Sequence, residues 1–234
     1  MRFRGRKGFL LHRSNTLFNH PGSALLFYSM QSFSQNDEQQ RILNHFYNFT
    51  GRFLDLGSND GITLSNTHAL ALLGWSGVCV EASPAAYKRL RTTYNANTKI
   101  QTIGYAVGSH DGEIILHESG ELLGTGDIAL VSSTKDEELK RWESLKMKFT
   151  PVIVPCVTFK TLMKEIGGGK FDLLSIDIEG MEKEVVPQID FNELGTKMAV
   201  IEWNGKDADL FDGIMRNFNF NLVHVNAENR LYAR

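Results

Sequence analysis

A short apolar run, Phe53-Leu54-Asp55-Leu56, stops abruptly on Gly57, and a second glycine, Gly61, follows four residues later. Such a run ending on glycine reads as a buried strand entering a tight turn, since glycine reaches left-handed backbone at no steric cost. The segment after the turn is helix-like. Strand, glycine loop and helix together predict the opening unit of a nucleotide-binding α/β fold, with the helix N-terminus offering unpaired N–H groups to a ligand.

The rest of the chain keeps that rhythm. A helix is expected over Asp37–Tyr47, with Ile42, Leu43 and Phe46 at helical spacing, leading into the first strand, Arg52–Leu56. A helix over Leu64–Leu73 is stopped by Gly74, and a second strand covers Gly77–Val80. Pro84 opens the next helix, which runs to Tyr94. Further strands are expected at Ile100–Val107, Glu113–His117, Val152–Val157, Phe171–Ile176 and Met198–Trp203. Helices are expected over Thr158–Ile166 and Asp207–Phe218, and Phe220–Val225 with Leu231-Tyr232 forms a closing antiparallel pair. Alternation of this kind predicts an α/β architecture with a mainly parallel, seven-stranded sheet and helices on both faces.

At 234 residues the chain suits one sizeable domain. The expected organisation is a basic arm over 1–33 and a folded domain over 34–234. Gly120–Thr150 breaks the rhythm and reads as an inserted loop or lid. The formal net charge is -2, so nothing pulls the whole chain towards nucleic acid or an anionic membrane. From Met1 to Asn36 there is no acid, while Arg2, Arg4, Arg6, Lys7 and Arg13 make the start basic. A loosely packed arm, an organellar presequence and a contact arm for phosphate or membrane all fit that composition. Cys79 and Cys156 sit in apolar runs and read as buried reduced thiols, which points to a cytoplasmic setting. No apolar run approaches the length of a membrane span.

The turn also discriminates between ligands. A dinucleotide fingerprint requires G-x-G-x-x-G to seat a diphosphate. Here Ser58 and Asn59 follow the first glycine, and Asp60 places a carboxylate in the loop. An acid beside a diphosphate is repelled, but it suits a cationic, amine-bearing ligand such as S-adenosylmethionine. Glu81, with Ala82 beside it, ends the second strand and is placed to accept hydrogen bonds from ribose hydroxyls. Ala106 and Val107 are expected near the adenine, through backbone contacts and apolar packing. Ser65, Asn66 and Thr67 are expected to cap a helix and touch the methionine end of the ligand.

Several segments together resemble the FkbM family of S-adenosylmethionine-dependent methyltransferases. They are Ser34-Gln35 with Asp37-Glu38, the run Phe53 to Gly61, Leu64-Ser65-Asn66-Thr67, Leu73-Gly74-Trp75-Ser76-Gly77 and Val80-Glu81-Ala82-Ser83-Pro84, with Ser175 to Glu182. The chain reads Glu81-Ala82-Ser83-Pro84 where the family has Glu-Pro. The resemblance implies a Rossmann-like class I fold and methyl transfer, usually to a hydroxyl oxygen of a sugar, glycan or natural product. It does not choose the acceptor.

Acids cluster where ligands of open α/β sheets bind, at the carboxyl ends of strands. Asp177, Glu179 and Glu202 are the candidate catalytic residues. Asp55, Gly57, Ser58, Asp60, Gly61, Ser65, Asn66, Thr67, Glu81, Ala82, Ala106, Val107 and Asp177 are the candidate cofactor contacts. One carboxylate acts as base with its pKa raised by burial, or several hold a divalent cation such as Mg²⁺; the metal is the less favoured use. Glu182 either joins this group or caps a helix and faces water. His68 reads as structural. A small-molecule or glycan O-methyltransferase is the leading expectation. A nucleic-acid methyltransferase is disfavoured by the lack of a basic, aromatic-rich stripe, and a non-catalytic cofactor-binding module by the intact acid and glycine set.

Overall fold

In a computed structural model, the described residues are 31–121, 129–135, 139–140, 142 and 147–234. The chain divides after Gln31 into two units, and the unit Ser32–Arg234 holds every described helix and strand. The basic arm lies outside the described residues except for its last three positions, as does much of the 120–150 insertion.

The elements run α1 (Glu38–Phe46), β1 (Arg52–Leu56), α2 (His68–Leu72), β2 (Ser76–Val80), α3 (Pro84–Tyr94), β3 (Ile100–Ile103), β4 (Ala106–Gly108), β5 (Gly112–Ser119), β6 (Phe149–Thr158) and α4 (Phe159–Glu165). Then come β7 (Leu173–Ile176), α5 (Glu182–Val185), α6 (Phe191–Leu194), β8 (Met198–Glu202), α7 (Ala208–Asn217), β9 (Asn221–Val225) and β10 (Asn229–Ala233). Seven strands form one sheet in the order β3-β2-β1-β7-β8-β10-β9. The first five are parallel, and β10 runs antiparallel to both β8 and β9. Helices flank this sheet.

Two expectations need correction. The run Ile100–Val107 is not one strand. Gly104 and Tyr105 break it, β3 joins the main sheet, and β4 pairs with β6 in a separate three-stranded sheet ordered β4-β6-β5. A Cβ at Gly104 would meet the Tyr87 ring at 2.8 Å, so glycine lets the chain leave the sheet edge there. Nor does a helix start at Leu64. Leu64 has φ +55 and bridges to Ser34, and helix begins only at His68. The Ser65 hydroxyl accepts from the backbone N–H groups of Thr67 and His68, so the polar segment organises the turn before the helix.

Side-chain alternation divides the core. Leu54, Leu56, Val78, Val80, Leu174, Ile176, Ala199 and Ile201 share one cluster with Leu162 of α4, Phe191 of α6 and Met215 of α7. Phe53 alternates with Leu54 and is fully buried outside that cluster, as are Ile42, Leu70 and Leu90 of α1, α2 and α3. Trp75 packs edge-on to Phe46 at 4.9 Å. Arg230 of β10 donates to both carboxylate oxygens of Asp212 at 2.6 Å, which fastens α7 to the sheet. Among the described residues no helix is long and apolar enough to cross a membrane.

One buried acid joins the two ends of the unit. Glu38 is 0% exposed and accepts from Asn226 Nδ2 at 2.6 Å, Asn229 Nδ2 at 3.0 Å and the Asn36 backbone N–H at 2.9 Å. Burial alone would raise its pKa, but these donors outweigh it and hold the group below its ordinary value. Replacing Glu38 by Ala strands two asparagine amides in the interior, so E38A should lose about 3 kcal/mol of stability. The urea midpoint should fall accordingly, and an unchanged midpoint would show that the β9–β10 connection holds without this anchor.

Candidate active site

The main sheet brings distant residues to one level. Leu56 pairs with Val80 on one side and with Ile176 on the other, and Ile176 pairs with Ile201. The next residue on each strand is therefore Glu81, Gly57, Asp177 and Glu202, in that lateral order. Adjacent strands lie about 4.8 Å apart, so a row of three carboxylates with one gap crosses the carboxyl edge of the sheet.

The gap is obligatory. At Gly57 the backbone has φ +87, and a Cβ there would lie 1.6 Å from the Asp177 carbonyl oxygen. The backbone N–H groups of Gly57 and Ser58 both donate to Val80 O, at 2.9 and 3.0 Å, while Asp177 N–H donates to Leu56 O at 2.9 Å. The turn is thus fastened to both neighbouring strands. At Gly61, with φ +79, a Cβ would strike the Tyr94 ring and Leu90.

Asp60 is fastened within the loop that follows the turn. Its carboxylate accepts from the backbone N–H groups of Ile62 and Thr63, at 2.8 and 2.7 Å, and from the Thr63 hydroxyl at 2.7 Å. It organises its own loop. Asp55 is buried and accepts from the Thr67 hydroxyl at 2.6 Å. Asn66 donates to the Ser175 hydroxyl at 3.2 Å, and Ser58 to the Asp55 carbonyl at 3.0 Å. The Ser-Asn-Thr segment therefore docks on the carboxyl ends of β1 and β7. Glu81 accepts from the backbone N–H groups of Asn59 at 2.8 Å and Ser83 at 2.7 Å, which orients its carboxylate over the turn.

On the other half of the row, Glu182 is buried and points inward. It accepts from the Ile178 N–H at 2.7 Å and the Gly180 N–H at 3.0 Å, so it folds the loop before its own helix instead of facing water. The helix begins at Glu182, and Glu179 lies before it in a left-handed turn with φ +51. One carboxylate oxygen each from Asp177, Glu182 and Glu202 lies within 4.8 Å of the other two. Asn204 donates to Glu202 at 2.6 Å. Among the described residues no lysine or arginine forms an ion pair with these three acids. A cavity of about 420 Å³ opens beside Glu182 and Glu202, walled by Trp203 and Phe211.

Ala106 and Val107 are buried in β4, within the smaller sheet rather than at the end of a third strand of the main one. Ala82 packs against the core of that smaller sheet. His68 is buried, its Nδ1 3.1 Å from the Tyr94 hydroxyl and its ring edge-on to Phe33, an internal packing role. Sequence reading passed over Asn59 and Ser133. Asn59 donates from its side chain to Ala129 O at 3.2 Å, and Ser133 donates to Glu179 O at 2.6 Å. Asn59 lay within a recognisable motif, whereas the Ser133 contact spans 46 positions and leaves no local signal.

Burial sets the electrostatics. Desolvation pushes Asp55 up to about 6, against the Thr67 hydrogen bond and with help from the Asp177 charge. It pushes Glu81 up to about 7 despite its two backbone donors. Burial raises Asp177, Glu182 and Glu202. The Asp177 charge adds to the rise in Glu182, and the charges of Asp177, Glu179 and Glu182 add to that in Glu202, whereas a hydrogen bond with Glu202 works against the rise in Asp177. Asp177 retains some surface exposure, so solvent tempers its shift.

The strand order is that of a Rossmann-like class I methyltransferase fold. The match to the methyltransferase FkbM domain covers residues 55–222, most of the chain. The chain belongs to the FkbM methyltransferase family and carries an S-adenosylmethionine-dependent methyltransferase domain. Among solved structures it is similar to ribosomal protein L11 methylase from Lactobacillus delbrueckii subsp. bulgaricus, at 14% identity and TM-score 0.44, covering 84% of this chain and 76% of that one. Precorrin-6y C5,15-methyltransferase from Geobacter metallireducens GS-15 matches at 8% identity and TM-score 0.45, covering 90% and 94%. The N-terminal domain of human METTL16 matches at 12% identity and TM-score 0.41, covering 83% and 66%. These distant likenesses add nothing to the family assignment. No curated protein matches the sequence.

Two outcomes follow from the row. G57A should lose stability at the upper end of about 1–3 kcal/mol, because the methyl group has nowhere to go but the Asp177 carbonyl; a melting curve measures this. The raised carboxylates also tie stability to pH. Between about pH 4 and 7 the folded state holds protons on Asp55 and Glu81 that the unfolded chain releases, so their contribution to stability falls as pH rises through 6 and 7. Removing both titrations, as D55N/E81Q does, should flatten the decline in unfolding free energy between pH 5 and 8. An equally steep decline in the double variant would place the proton uptake elsewhere.

Proposed function

We propose that this protein transfers the methyl group of S-adenosylmethionine to a hydroxyl oxygen of a sugar, glycan or other small molecule. The observation that carries the reading is the trio Asp177, Glu182 and Glu202 beside the cavity at the ends of β7 and β8. It supplies both a place for an acceptor and a group to take its proton.

The other half of the row suits the cofactor. Glu81 and Asp177 border a gap that only glycine leaves open, and the set favours a cationic ligand. Glu81, oriented by two backbone donors, would hold the ribose hydroxyls. Gly57, Ser58 and Gly61 would line the turn, with Asp55 and Asp177 towards the charged end and Ser65, Asn66 and Thr67 behind them. Asp60 shapes the loop and would offer its charge to the cationic ligand. Ala82, Ala106 and Val107 would border the base.

S-adenosylmethionine supplies an electrophilic methyl: the acceptor oxygen gains the new C–O bond as the C–S bond breaks and its electrons remain on sulfur. Much of the acceleration then comes from alignment. Asp177 takes the hydroxyl proton. Glu202 is raised by burial and then by the charges of Asp177, Glu179 and Glu182, while its hydrogen bond lowers Asp177, so Asp177 is the more acidic partner of the pair and suits the role of base. Glu179 acts through its charge on Glu202 and through the backbone of its turn. A second reading uses the same trio to hold a hard divalent cation that acidifies the acceptor hydroxyl; oxygen ligands from three carboxylates within 4.8 Å support it. Cys79 and Cys156 are free, buried thiols, which supports a reducing compartment.

Labelled S-adenosylmethionine incubated with the protein and a cell extract should mark saccharide or small-molecule fractions; label in nucleic acid would reverse the reading. D177N should lower kcat by roughly a hundredfold or more with S-adenosylmethionine affinity little changed. Wild-type turnover in D177N would remove the base assignment. Turnover that disappears with EDTA and returns with Mg²⁺ would favour the metal reading.

A further inference from the structure

The segment 129–135 ties the two halves of the site to each other. It runs beside β5: the Ala129 N–H donates to Ser119 O at 2.9 Å, and the Val131 N–H donates to the Ser119 hydroxyl at 3.2 Å. Ser133 and His117 exchange backbone hydrogen bonds at 3.0 and 3.3 Å. One end of the segment meets the cofactor turn, where Asn59 Nδ2 donates to Ala129 O at 3.2 Å. The other end meets the acidic loop, where the Ser133 hydroxyl donates to Glu179 O at 2.6 Å and Lys135 pairs with Glu184 of α5. Thr134 and Lys135 then form part of the wall of the cavity that holds Glu182 and Glu202.

Both fastenings are buried, and both fall on backbone that is costly to hold. Asn59 and Ser133 have little contact with water, so solvent does not readily replace their bonds. The two carbonyl acceptors belong to Ala129, with φ +71, and Glu179, with φ +51. A residue other than glycine keeps that left-handed conformation only where its surroundings impose it. Asn59 is also joined to the group that faces the cofactor: its backbone N–H donates to Glu81 Oε2 at 2.8 Å, and its Oδ1 accepts from the Asp60 N–H at 2.7 Å. A ligand that fixes Glu81 therefore fixes Asn59, and through it Ala129. At the far end the Glu179 carbonyl lies between the Ile178 and Gly180 N–H groups, which both donate to Glu182. Movement of the segment thus reaches a carboxylate of the acceptor cavity.

We propose that the segment 129–135 is a strap through which S-adenosylmethionine, bound at the turn after β1, orders the acceptor half of the site, with Asn59 and Ser133 as positioning residues at its two ends. A ligand that rigidifies the turn and the strap removes freedom that the acceptor would otherwise have to remove, so the acceptor meets a formed cavity when the methyl donor is in place. The proposal rests on the cofactor placement given above and holds for any acceptor in that cavity.

Amide hydrogen exchange of the full chain, with and without S-adenosylhomocysteine, tests this coupling. Exchange in β10, far from the turn, reports the general stabilisation that any bound ligand brings. Beyond that level, the ligand should slow exchange at Asn59, and by about tenfold at Val131, Ser133, Ile178 and Gly180. Slowing confined to 57–61, or no greater in the strap and the acidic loop than in β10, overturns the coupling and leaves the cofactor placement standing. No slowing at 57–61 overturns that placement and this proposal with it. S133A should keep the slowing at Asn59 and lose most of it at Ile178 and Gly180. N59D removes the donor to Ala129 but keeps the Oδ1 acceptor for Asp60, and it should lose the slowing in the strap and the loop together. A purely structural role would loosen these amides equally in the free and bound protein, so the bound-to-free ratio is the quantity compared. A ratio unchanged from wild type in both variants overturns the assignment to Asn59 and Ser133.

Discussion

The site depends on four parallel strands, β2, β1, β7 and β8, ending at one level. Parallel hydrogen bonding sets Leu56 beside Val80 and Ile176, and Ile176 beside Ile201. The residues that follow are then neighbours whatever their separation along the chain. Glu81, Asp177 and Glu202 lie in distant segments but occupy one edge, with Gly57 as the only member that lacks a side chain. That vacancy is enforced by the Asp177 carbonyl, which a Cβ would contact at 1.6 Å. Geometry that would be improbable for a loop-built site follows here from strand register alone.

The same register creates an electrostatic load. Asp55, Glu81, Asp177, Glu182 and Glu202 are gathered where desolvation and mutual repulsion raise their proton affinities. Backbone N–H donors ease that load for Glu81 and Glu182, and hydroxyls or an amide for Asp55 and Glu202. What remains is an edge that favours positive charge in its ligand. Membership of the FkbM family implies S-adenosylmethionine as the cofactor.

Much of this was legible in one dimension. The glycine-ended apolar run at Asp55-Leu56-Gly57, the acid closing the second strand at Glu81 and the acids after Ile176 and Ile201 each carry a local signature. Errors arose where local pattern competed with tertiary context. The run Ile100–Val107 is apolar enough for one strand, but the chain leaves the sheet at Gly104 and starts a second sheet. Leu64 continues a helical spacing, yet pairing with Ser34 and positive φ delay the helix to His68.

By itself the sequence determined the alternation of strand and helix, because burial on both faces of a parallel sheet demands short apolar runs, and the tight turn at Gly57, because only glycine fits there. It also determined that acids would close the strands. Which acids meet was decided by the tertiary structure. Strand order put β7 beside β1 and β8 beside β7, and the carboxylate of Glu182 turned inward because the Ile178 and Gly180 N–H groups needed an acceptor there. The link from Ser133 to the Glu179 carbonyl belongs to the same category: a single hydrogen bond between segments that share no pattern, and that meet only once the sheet has formed.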